Sequence, residues 1–380
     1  MRAAGEVQVI AQQAAVDGQR QQWRKHGVSM EEVAQHNNQK SAWLVIKDHV
    51  YDATLFLDLH PGGSDMIMSM AGGEATEDFV ATHSTKAWAQ LEDFYVGPLR
   101  KSSNKVPAAM PAVKLEDVFL KPRDSQKLLL MAKIIVNHDT RIFRFALPGA
   151  SMKLGLSAGQ HLMLKAKCQD ETVMRPYTPV TDDHTPGHVD LMIKVYLSNT
   201  HASFPEGGRM SQHLDSLQPG DSIDVNGPFG DFLYRGKGEF TWKGQPRKCT
   251  HMSMIAGGTG ITLTYQVAAA ILRDTYDTTK VSLLYACQTP ADILGKWLLD
   301  DLGAGHPSRF HVAYTVDRVP QGSEWGHNVG FVDDVMIQEH LFAPGEHTVC
   351  LMCGPPVMYQ KACVPNLLKV GYPEGNIFAG

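Results

Sequence analysis

The spacing of apolar residues changes character twice along these 380 residues, and no single-domain fold accommodates all the resulting patterns. Order is expected to begin at Ser29-Met30-Glu31-Glu32, a capping-box pattern for which Val28 and Val33 supply the hydrophobic staple, so a short helix starts at Met30. WLVIKDHVY at 43–51 reads as the two strands of a hairpin, and a second capped helix is expected after Ser84, ending near Gly97-Pro98. Residues 101–122, rich in lysine, proline and small side chains, read as a linker. Beyond them the period becomes two: Phe143, Phe145 and Leu147 share a face, and Leu191, Ile193 and Val195 oppose Met192, Lys194 and Tyr196. Short strands of this kind between glycine, proline and aspartate turns predict an antiparallel barrel over 123–245. From 246 to 380 apolar strands (HMSMIA, VSLLYA, FHVAYTV, TVCLMC) alternate with helical stretches such as TLTYQVAAAIL, as in a parallel α/β sheet. Residues 1–26, Gln- and Ala-rich without an apolar stripe, read as a tail, which leaves 27–100 as the first domain.

A net charge of only −5 speaks against a nucleic-acid binder, which would be basic. No apolar stretch approaches the roughly 18 residues of a membrane span; the best, Leu128 to Val136, is cut by Lys133. Without the basic-then-apolar start of a signal peptide, a cytoplasmic location is expected. The six cysteines fit, being scattered without a disulfide framework. One Cys-x-x-Cys, Cys350 to Cys353, leaves open a redox disulfide or half a zinc site on what reads as a buried strand.

His60-Pro61-Gly62-Gly63 and His83 form the first chemical constellation. Twenty-three residues separate the histidines, room for a helical hairpin that sets them on opposite faces of a flat cofactor. Two axial imidazoles leave an iron no open position, so it shuttles electrons rather than binding oxygen. From the residues alone, two surface histidines explain the pattern equally well. Taken as a whole, however, 27–100 resembles cytochrome b5: the helix start, WLVI, VYD, FLDLHPGG, GGEATEDF, THS and the closing YVG. The resemblance implies an α+β domain in which His60 and His83 ligate the iron of haem b, with Phe56 and Phe79 beside the porphyrin. Between Ser41 and Arg100 nine acids face three bases. Either an acidic rim steers a basic redox partner or this is a solvated surface.

In Arg175-Pro176-Tyr177-Thr178 the guanidinium suits a pyrophosphate, the phenol a ring system and the hydroxyl a ring nitrogen. Gly207-Gly208-Arg209-Met210-Ser211 is either an ordinary glycine turn or a place where backbone N–H groups and a helix start near Ser211 meet a phosphate. Ala256-Gly257-Gly258-Thr259-Gly260-Ile261-Thr262 follows an apolar strand and precedes a helix, the context of a dinucleotide cradle. Cys353-Gly354-Pro355-Pro356 ends the last strong strand, where a thiol can sit beside a nicotinamide; it also reads as a simple strand-ending turn.

In this order the motifs resemble the ferredoxin reductase-like flavoproteins, cytochrome b5 reductase branch, over about 123–380. The resemblance implies a six-stranded FAD barrel and an NADH-binding α/β domain. By it Arg175, Pro176, Tyr177 and Thr178 match the flavin motif, with Lys194 and Tyr196 on the matching strand. Gly208, Met210 and Ser211 match the FAD pyrophosphate loop. Gly257, Gly258, Thr259, Gly260 and Thr262 match the nucleotide loop, and Cys353, Gly354 and Pro355 lie at the nicotinamide. Thr178, Lys194 and Cys353 are expected closest to the chemistry. Asp292 matches an acid that favours an unphosphorylated ribose, since a carboxylate accepts from a 2′-hydroxyl and repels a 2′-phosphate. The sequence departs from the pattern at Leu263, where a proline usually stands, and in ending FAG rather than on an aromatic residue.

The domain order, with SFPEGGRMSQHLDSL and RIFRFALP, further resembles the reductase half of eukaryotic assimilatory nitrate reductase. That implies electron flow from NADH to FAD to haem and on to a molybdenum-cofactor domain, or to an artificial acceptor such as cytochrome c. No molybdenum domain fits in 26 residues, so the chain as given is expected not to reduce nitrate. A free-standing fusion serving desaturase-like acceptors would share every motif, and coding sequence upstream of Met1 would distinguish it. A haem- or flavin-binding sensor without turnover is a third reading, which steady-state flux from NADH would exclude.

Overall fold

The computed structural model describes residues 23–60, 63–83, 85–100, 118–121, 124–169, 171–200 and 205–380; Pro61, Gly62, Ser84 and most of the expected tail and linker lie outside the described residues. The described residues form two compact units, one up to Arg100, with which 169–174 are grouped, and one made of the remainder.

In the first unit Ser29 accepts a hydrogen bond from the Glu32 N–H at 3.2 Å and starts the helix Met30–Val33. Strands Ser41–Ile46 and His49–Asp52 pair antiparallel. Lys47 and Asp48 between them both take positive φ, 49° and 60°, the geometry of a tight hairpin turn. The unbroken apolar run Trp43–Ile46 arises because both faces of this sheet are covered. Leu44 and Ile46 join Tyr51, Leu57 and Ile67 on one side; Trp43 and Val45 join Val28, Val33 and Val96 on the other. The helix expected to reach Gly97-Pro98 stops earlier: it spans Thr85–Leu91, followed by a 3-10 turn Glu92–Phe94. Tyr95–Pro98 is instead a strand paired with His49–Asp52, where Val96 is buried in the sheet's second core.

The second unit begins before the expected end of the linker. Phe119 and Leu120 are 5% and 4% exposed, and their N–H groups bond Lys153 and Leu154 carbonyls. Six strands then form one sheet in the order His188–Lys194, Thr140–Ala146, Gln126–Ile135, Ser222–Phe229, His161–Cys168, Glu171–Tyr177. The chain after the last of these returns to the first, Val180 N–H bonding the Asp190 carbonyl at 3.0 Å, so the sheet curls toward closure. Phe143, Phe145, Leu128, Leu162 and Leu191 fill its interior. Met192, on the face opposite Leu191 and Ile193, is also buried, because that face is covered by the α/β core. The small sheet Phe232–Gly236, Glu239–Trp242, Gln245–Lys248 likewise sends Phe232, Tyr234 and Phe240 into the α/β core.

That core surrounds a parallel sheet ordered Asn328–Val329, Phe310–Val316, Lys280–Cys287, His251–Gly257, Thr348–Cys353, Ile377–Ala379. Both faces are buried, which is why the strands read as continuous apolar runs. The order runs outward in one direction from His251–Gly257 and in the other from Thr348–Cys353. Between these two strands lies the switch point at which ligands of open α/β sheets bind.

Candidate cofactor sites

In the first unit the 3-10 turn Thr54–Leu59 delivers His60, and the helix Thr76–Thr82 delivers His83 at its C-terminal cap. Each imidazole is anchored by Nδ1, His60 on the Gly63 carbonyl at 2.8 Å and His83 on the Phe79 carbonyl at 3.1 Å. A carbonyl only accepts, so both Nδ1 atoms carry a proton, and in the neutral imidazoles that a metal requires both Nε2 atoms present lone pairs. Those two Nε2 atoms face each other at 3.5 Å. Two acceptors opposed without a proton between them form a site for a cation, and opening by about half an ångström admits a metal with two nitrogen bonds of ~2.0 Å. The residues therefore fit an iron held between two imidazoles. Phe79 stacks on His83 at 4.0 Å between ring centroids, and Phe56 meets His60 edge-on at 5.8 Å. Burial holds the His83 imidazole below its ordinary pKa, aided by His60 and opposed by its bond to Phe79, which favours the neutral ligand form.

In the barrel, Tyr177 ends the strand Glu171–Tyr177 and Thr178 follows it, both half-buried, while Arg175 and Pro176 are exposed. Burial raises the Tyr177 phenol well above its usual range while Arg175 pulls the other way, so the hydroxyl stays neutral beside the guanidinium. The glycine-rich segment docks on the continuation of strand His188–Lys194. Gly208 N–H bonds the Tyr196 carbonyl at 2.8 Å, Tyr196 N–H bonds Ser211 Oγ at 3.1 Å, and Ser211 Oγ donates to the Gly208 carbonyl at 3.0 Å. A Cβ on Gly207, whose φ is +69°, would lie 2.4 Å from the Tyr196 carbonyl, so glycine is required for this approach. The helix begins at Arg209 rather than near Ser211, with Gly208 as its cap. Met210 points into the core, leaving its backbone as the part that can meet a phosphate.

At the sheet's switch point two motifs meet backbone to backbone. A Cβ on Gly260 would fall 2.0 Å from the Cys353 carbonyl oxygen, and one on Gly354 2.9 Å from Gly257 Cα. Gly258, at φ +53°, and Thr259 form the bend ahead of the helix Ile261–Arg273, whose positive end faces the crevice. Thr262 Oγ1 donates to the Thr259 carbonyl at 3.1 Å and tightens that turn. Pro355 caps the short turn Pro356–Met358 beside Gly257. Burial raises the Cys353 thiol to about 11, with Tyr359 opposing, so it is a neutral thiol and no nucleophile at physiological pH. Cys350 and Cys353 are both free thiols, Cys350 buried in the core behind the sheet.

Lys194 reaches from the barrel strand into the α/β part. Its Nζ lies 2.7 Å from Asp292 Oδ1 and 3.0 Å from Asp139 Oδ2. Burial alone would lower its pKa, but the two carboxylates outweigh this and keep it charged. The other oxygen of Asp292 accepts from Thr289 N–H at 3.1 Å and Oγ1 at 2.6 Å, a capping box. His138, Asp139 and Asp292 bring ligand atoms within 4.8 Å of one another, but Lys194 already supplies the cation there. Asp139 and Thr289 were missed in the sequence. Thr289-Pro290-Ala291-Asp292 carried the capping signal for the second, whereas Asp139 is brought to Lys194 only because Thr140, the next residue, pairs with Lys194 across two strands.

Residues 29–100 match the cytochrome b5-like heme/steroid binding domain, 127–234 the oxidoreductase FAD-binding domain and 254–364 the oxidoreductase NAD-binding domain. NADH nitrate reductase of Volvox carteri is 44% identical over 357 residues, 90% of this chain and 41% of that protein. The inducible NADH nitrate reductase 2 of Glycine max is 42% identical over 92% of this chain and 41% of its own length. The chain thus spans about two fifths of the curated relatives it matches. Among solved structures, the cytochrome b5 reductase domain of Ulva prolifera nitrate reductase superposes with a TM-score of 0.66 at 42% identity, over 69% of this chain and 99% of that one. The flavohaem-like FAD/NAD domain of a Vibrio cholerae nitric oxide dioxygenase, 19% identical with a TM-score of 0.55 over 68% of this chain and 98% of that one, shares the fold. With a cytochrome b5-like domain ahead of a reductase of this kind, the chain belongs to the cytochrome b5 reductase family, in the branch found in nitrate reductases.

Proposed function

We propose that this chain passes electrons from NADH through FAD to a b-type haem, as the reductase portion of a nitrate-reducing enzyme whose molybdenum-cofactor domain lies outside this sequence. The observation that carries the proposal is the meeting of the Gly257–Gly260 loop with Cys353-Gly354 at the sheet's switch point, on the edge that Lys194 of the barrel reaches. When bound, FAD takes two electrons at once from a nicotinamide and a haem iron takes one, so the flavin is where paired electrons are divided.

The chain's own residues bind and align. Arg175 and the backbone of Gly208, Met210 and Ser211 hold the FAD pyrophosphate, Tyr177 and Tyr196 flank the flavin, Pro176 fixes the strand end, and Thr178 hydrogen-bonds the ring. Gly257, Gly258, Thr259, Gly260 and Thr262 cradle the nucleotide pyrophosphate. Cys353, Gly354 and Pro355 line the nicotinamide position, where a neutral thiol supplies packing rather than proton transfer. Lys194 offsets one of the two negative charges of Asp139 and Asp292, which leaves the cluster net negative next to the entering nucleotide. From where it stands Asp292 repels a 2′-phosphate, and it reaches a ribose hydroxyl only by exchanging one present partner, so NADH is favoured over NADPH. His60 and His83 hold the haem iron, with Phe56 and Phe79 against the porphyrin. Among the described residues no helix is long and apolar enough to cross a membrane, in keeping with work in the cytoplasm. The final acceptor in this reading is the molybdenum domain, with cytochrome c as an artificial substitute.

Anaerobic mixing of the cofactor-loaded chain with NADH tests this. The flavin absorbance is expected to bleach first and the haem bands to follow, with no nitrate consumed. A haem that stays oxidised while the flavin bleaches would reduce the chain to a diaphorase carrying an uncoupled haem protein.

A further inference from the structure

The strand Lys280–Cys287 carries Tyr285, fully buried beneath the glycine loop. Its hydroxyl donates to the Gly258 carbonyl at 3.0 Å and accepts from the Leu294 N–H at 3.1 Å. One oxygen therefore joins the loop at the switch point to the turn that carries Asp292. With the Leu294 N–H donating to this oxygen, its proton points to the Gly258 carbonyl, the Cys287 thiol also lying within its reach. Burial keeps that phenol protonated well beyond any working pH.

The consequence lies in one peptide plane. The Gly258–Thr259 bond is trans; among the described residues the cis peptide is Gly227-Pro228. In a trans peptide the C=O and the following N–H point in opposite directions. A Gly258 carbonyl held down toward Tyr285 directs the Thr259 N–H up and out of the sheet, toward the crevice. The Gly258 carbonyl also accepts from the Ile261 N–H in the 3-10 turn Gly258–Gly260, and Gly258 carries no Cβ, so two hydrogen bonds rather than side-chain packing hold this plane.

We propose that Tyr285 is a positioning residue for nucleotide binding: its hydroxyl holds the Gly258–Thr259 peptide with the Thr259 N–H facing the pyrophosphate. This rests on the reading of the Gly257–Gly260 loop as the nucleotide cradle. Without the hydroxyl the plane rests on the Ile261 N–H alone, and the Thr259 N–H is held less firmly toward the incoming anion.

The structure supplies a matched control. Tyr314 is Tyr285's direct partner on the adjacent strand, equally a core phenol, and its buried hydroxyl has no hydrogen-bond partner. Tyr285→Phe and Tyr314→Phe thus remove the same atom from the same layer, but only the first breaks the link to Gly258.

The experiment is calorimetric titration of the FAD-loaded full chain with ADP-ribose, alongside NADH kinetics with ferricyanide. Tyr285→Phe is expected to raise the ADP-ribose Kd and the NADH KM together by about three- to tenfold, the size of one neutral hydrogen bond. kcat should change by less than about twofold, as for loss of uniform binding. Tyr314→Phe should leave both constants unchanged. An unaltered Kd in Tyr285→Phe, or an equal loss in the two variants, overturns the proposal, the second outcome marking a packing effect. If ADP-ribose fails to bind even the unaltered protein, the nucleotide reading of the loop falls and the role of Tyr285 with it. Should Tyr285→Phe not fold, hydrogen exchange in the unaltered protein decides: ADP-ribose must slow the Thr259 N–H, and no slowing overturns the proposal.

Discussion

Lys194 donates from Nζ to Asp292 Oδ1 at 2.7 Å, joining the barrel to a turn of the α/β part 98 residues further along. The contact is shielded, with the two side chains 21% and 17% exposed. Lys194→Met leaves Asp139 and Asp292 without their shared cation and should cost about 1–3 kcal/mol. Asp292→Asn keeps an acceptor for Thr289 and should cost less. In a double-mutant cycle followed by urea denaturation, the pair should lose at least about 0.5 kcal/mol less than the sum of the singles. Strict additivity would show that the contact carries no coupling. Burial alone would raise the Asp292 carboxyl, but Lys194 and Thr289 outweigh it and hold it below the ordinary value. A depressed carboxyl contributes stability that is present above the ordinary carboxylate range and lost as pH falls through the depressed value. The coupling should therefore be flat from neutral pH down to that range and shrink only below it.

Gly258 and Gly260 stand two residues apart in one loop, yet alanine should affect them differently. At Gly258 the obstacle is conformational, φ +53° with open space around a Cβ, and the cost should be about 1 kcal/mol. At Gly260 a Cβ would lie 2.0 Å from a backbone oxygen of Cys353, so the two strand ends must separate. Gly260→Ala should cost about 3 kcal/mol or more and abolish ADP-ribose binding. Equal melting temperatures for the two variants would contradict the backbone contact.

The parts of this architecture governed by local patterns were legible in the sequence. The Ser29 cap, the hairpin at 43–52 and the alternation of Phe143 and Phe145 depend on neighbours within a few residues. What failed depended on surfaces far away in the chain. Tyr95–Pro98 became a strand because His49–Asp52 offered it an edge, and Phe119 and Leu120 left the linker because Lys153 and Leu154 offered theirs. Met192 alternates onto the face opposite Leu191 and Ile193, and only the distant α/β core makes that face a buried one. The site was legible as motifs and not as a network. Nothing in VSLLYA distinguishes the phenol of Tyr285 from core filling, since its two partners come from separate loops.

Cys353 occupies the end of the strand Thr348–Cys353 with its thiol raised to about 11 by burial. Iodoacetamide reacts with the thiolate, so inactivation of the FAD-loaded protein at pH 7 to 8 should be slow and should rise steeply only as pH approaches that value. Rapid inactivation at neutral pH, abolished in Cys353→Ser, would show that the thiol is reactive and that its role is more than packing.

His83 offers the sharpest test of the first unit. Its Nδ1 is tied to the Phe79 carbonyl, its ring is stacked on Phe79, and its Nε2 opposes that of His60. If His60 and His83 hold a haem iron as proposed, they would leave it no open position, so the reduced unaltered protein should not bind carbon monoxide. His83→Ala opens one position: any haem retained should bind carbon monoxide, with the corresponding shift of the Soret band. The flavin and nucleotide residues belong to the other compact unit. Reduction of ferricyanide by NADH should therefore stay within about twofold of the unaltered rate, as for distant, independent sites, while reduction of cytochrome c falls to background. Ready carbon monoxide binding by the unaltered protein would rule out ligation by both histidines. Cytochrome c reduction that survives in His83→Ala would mean that electrons leave from the flavin directly and bypass the haem.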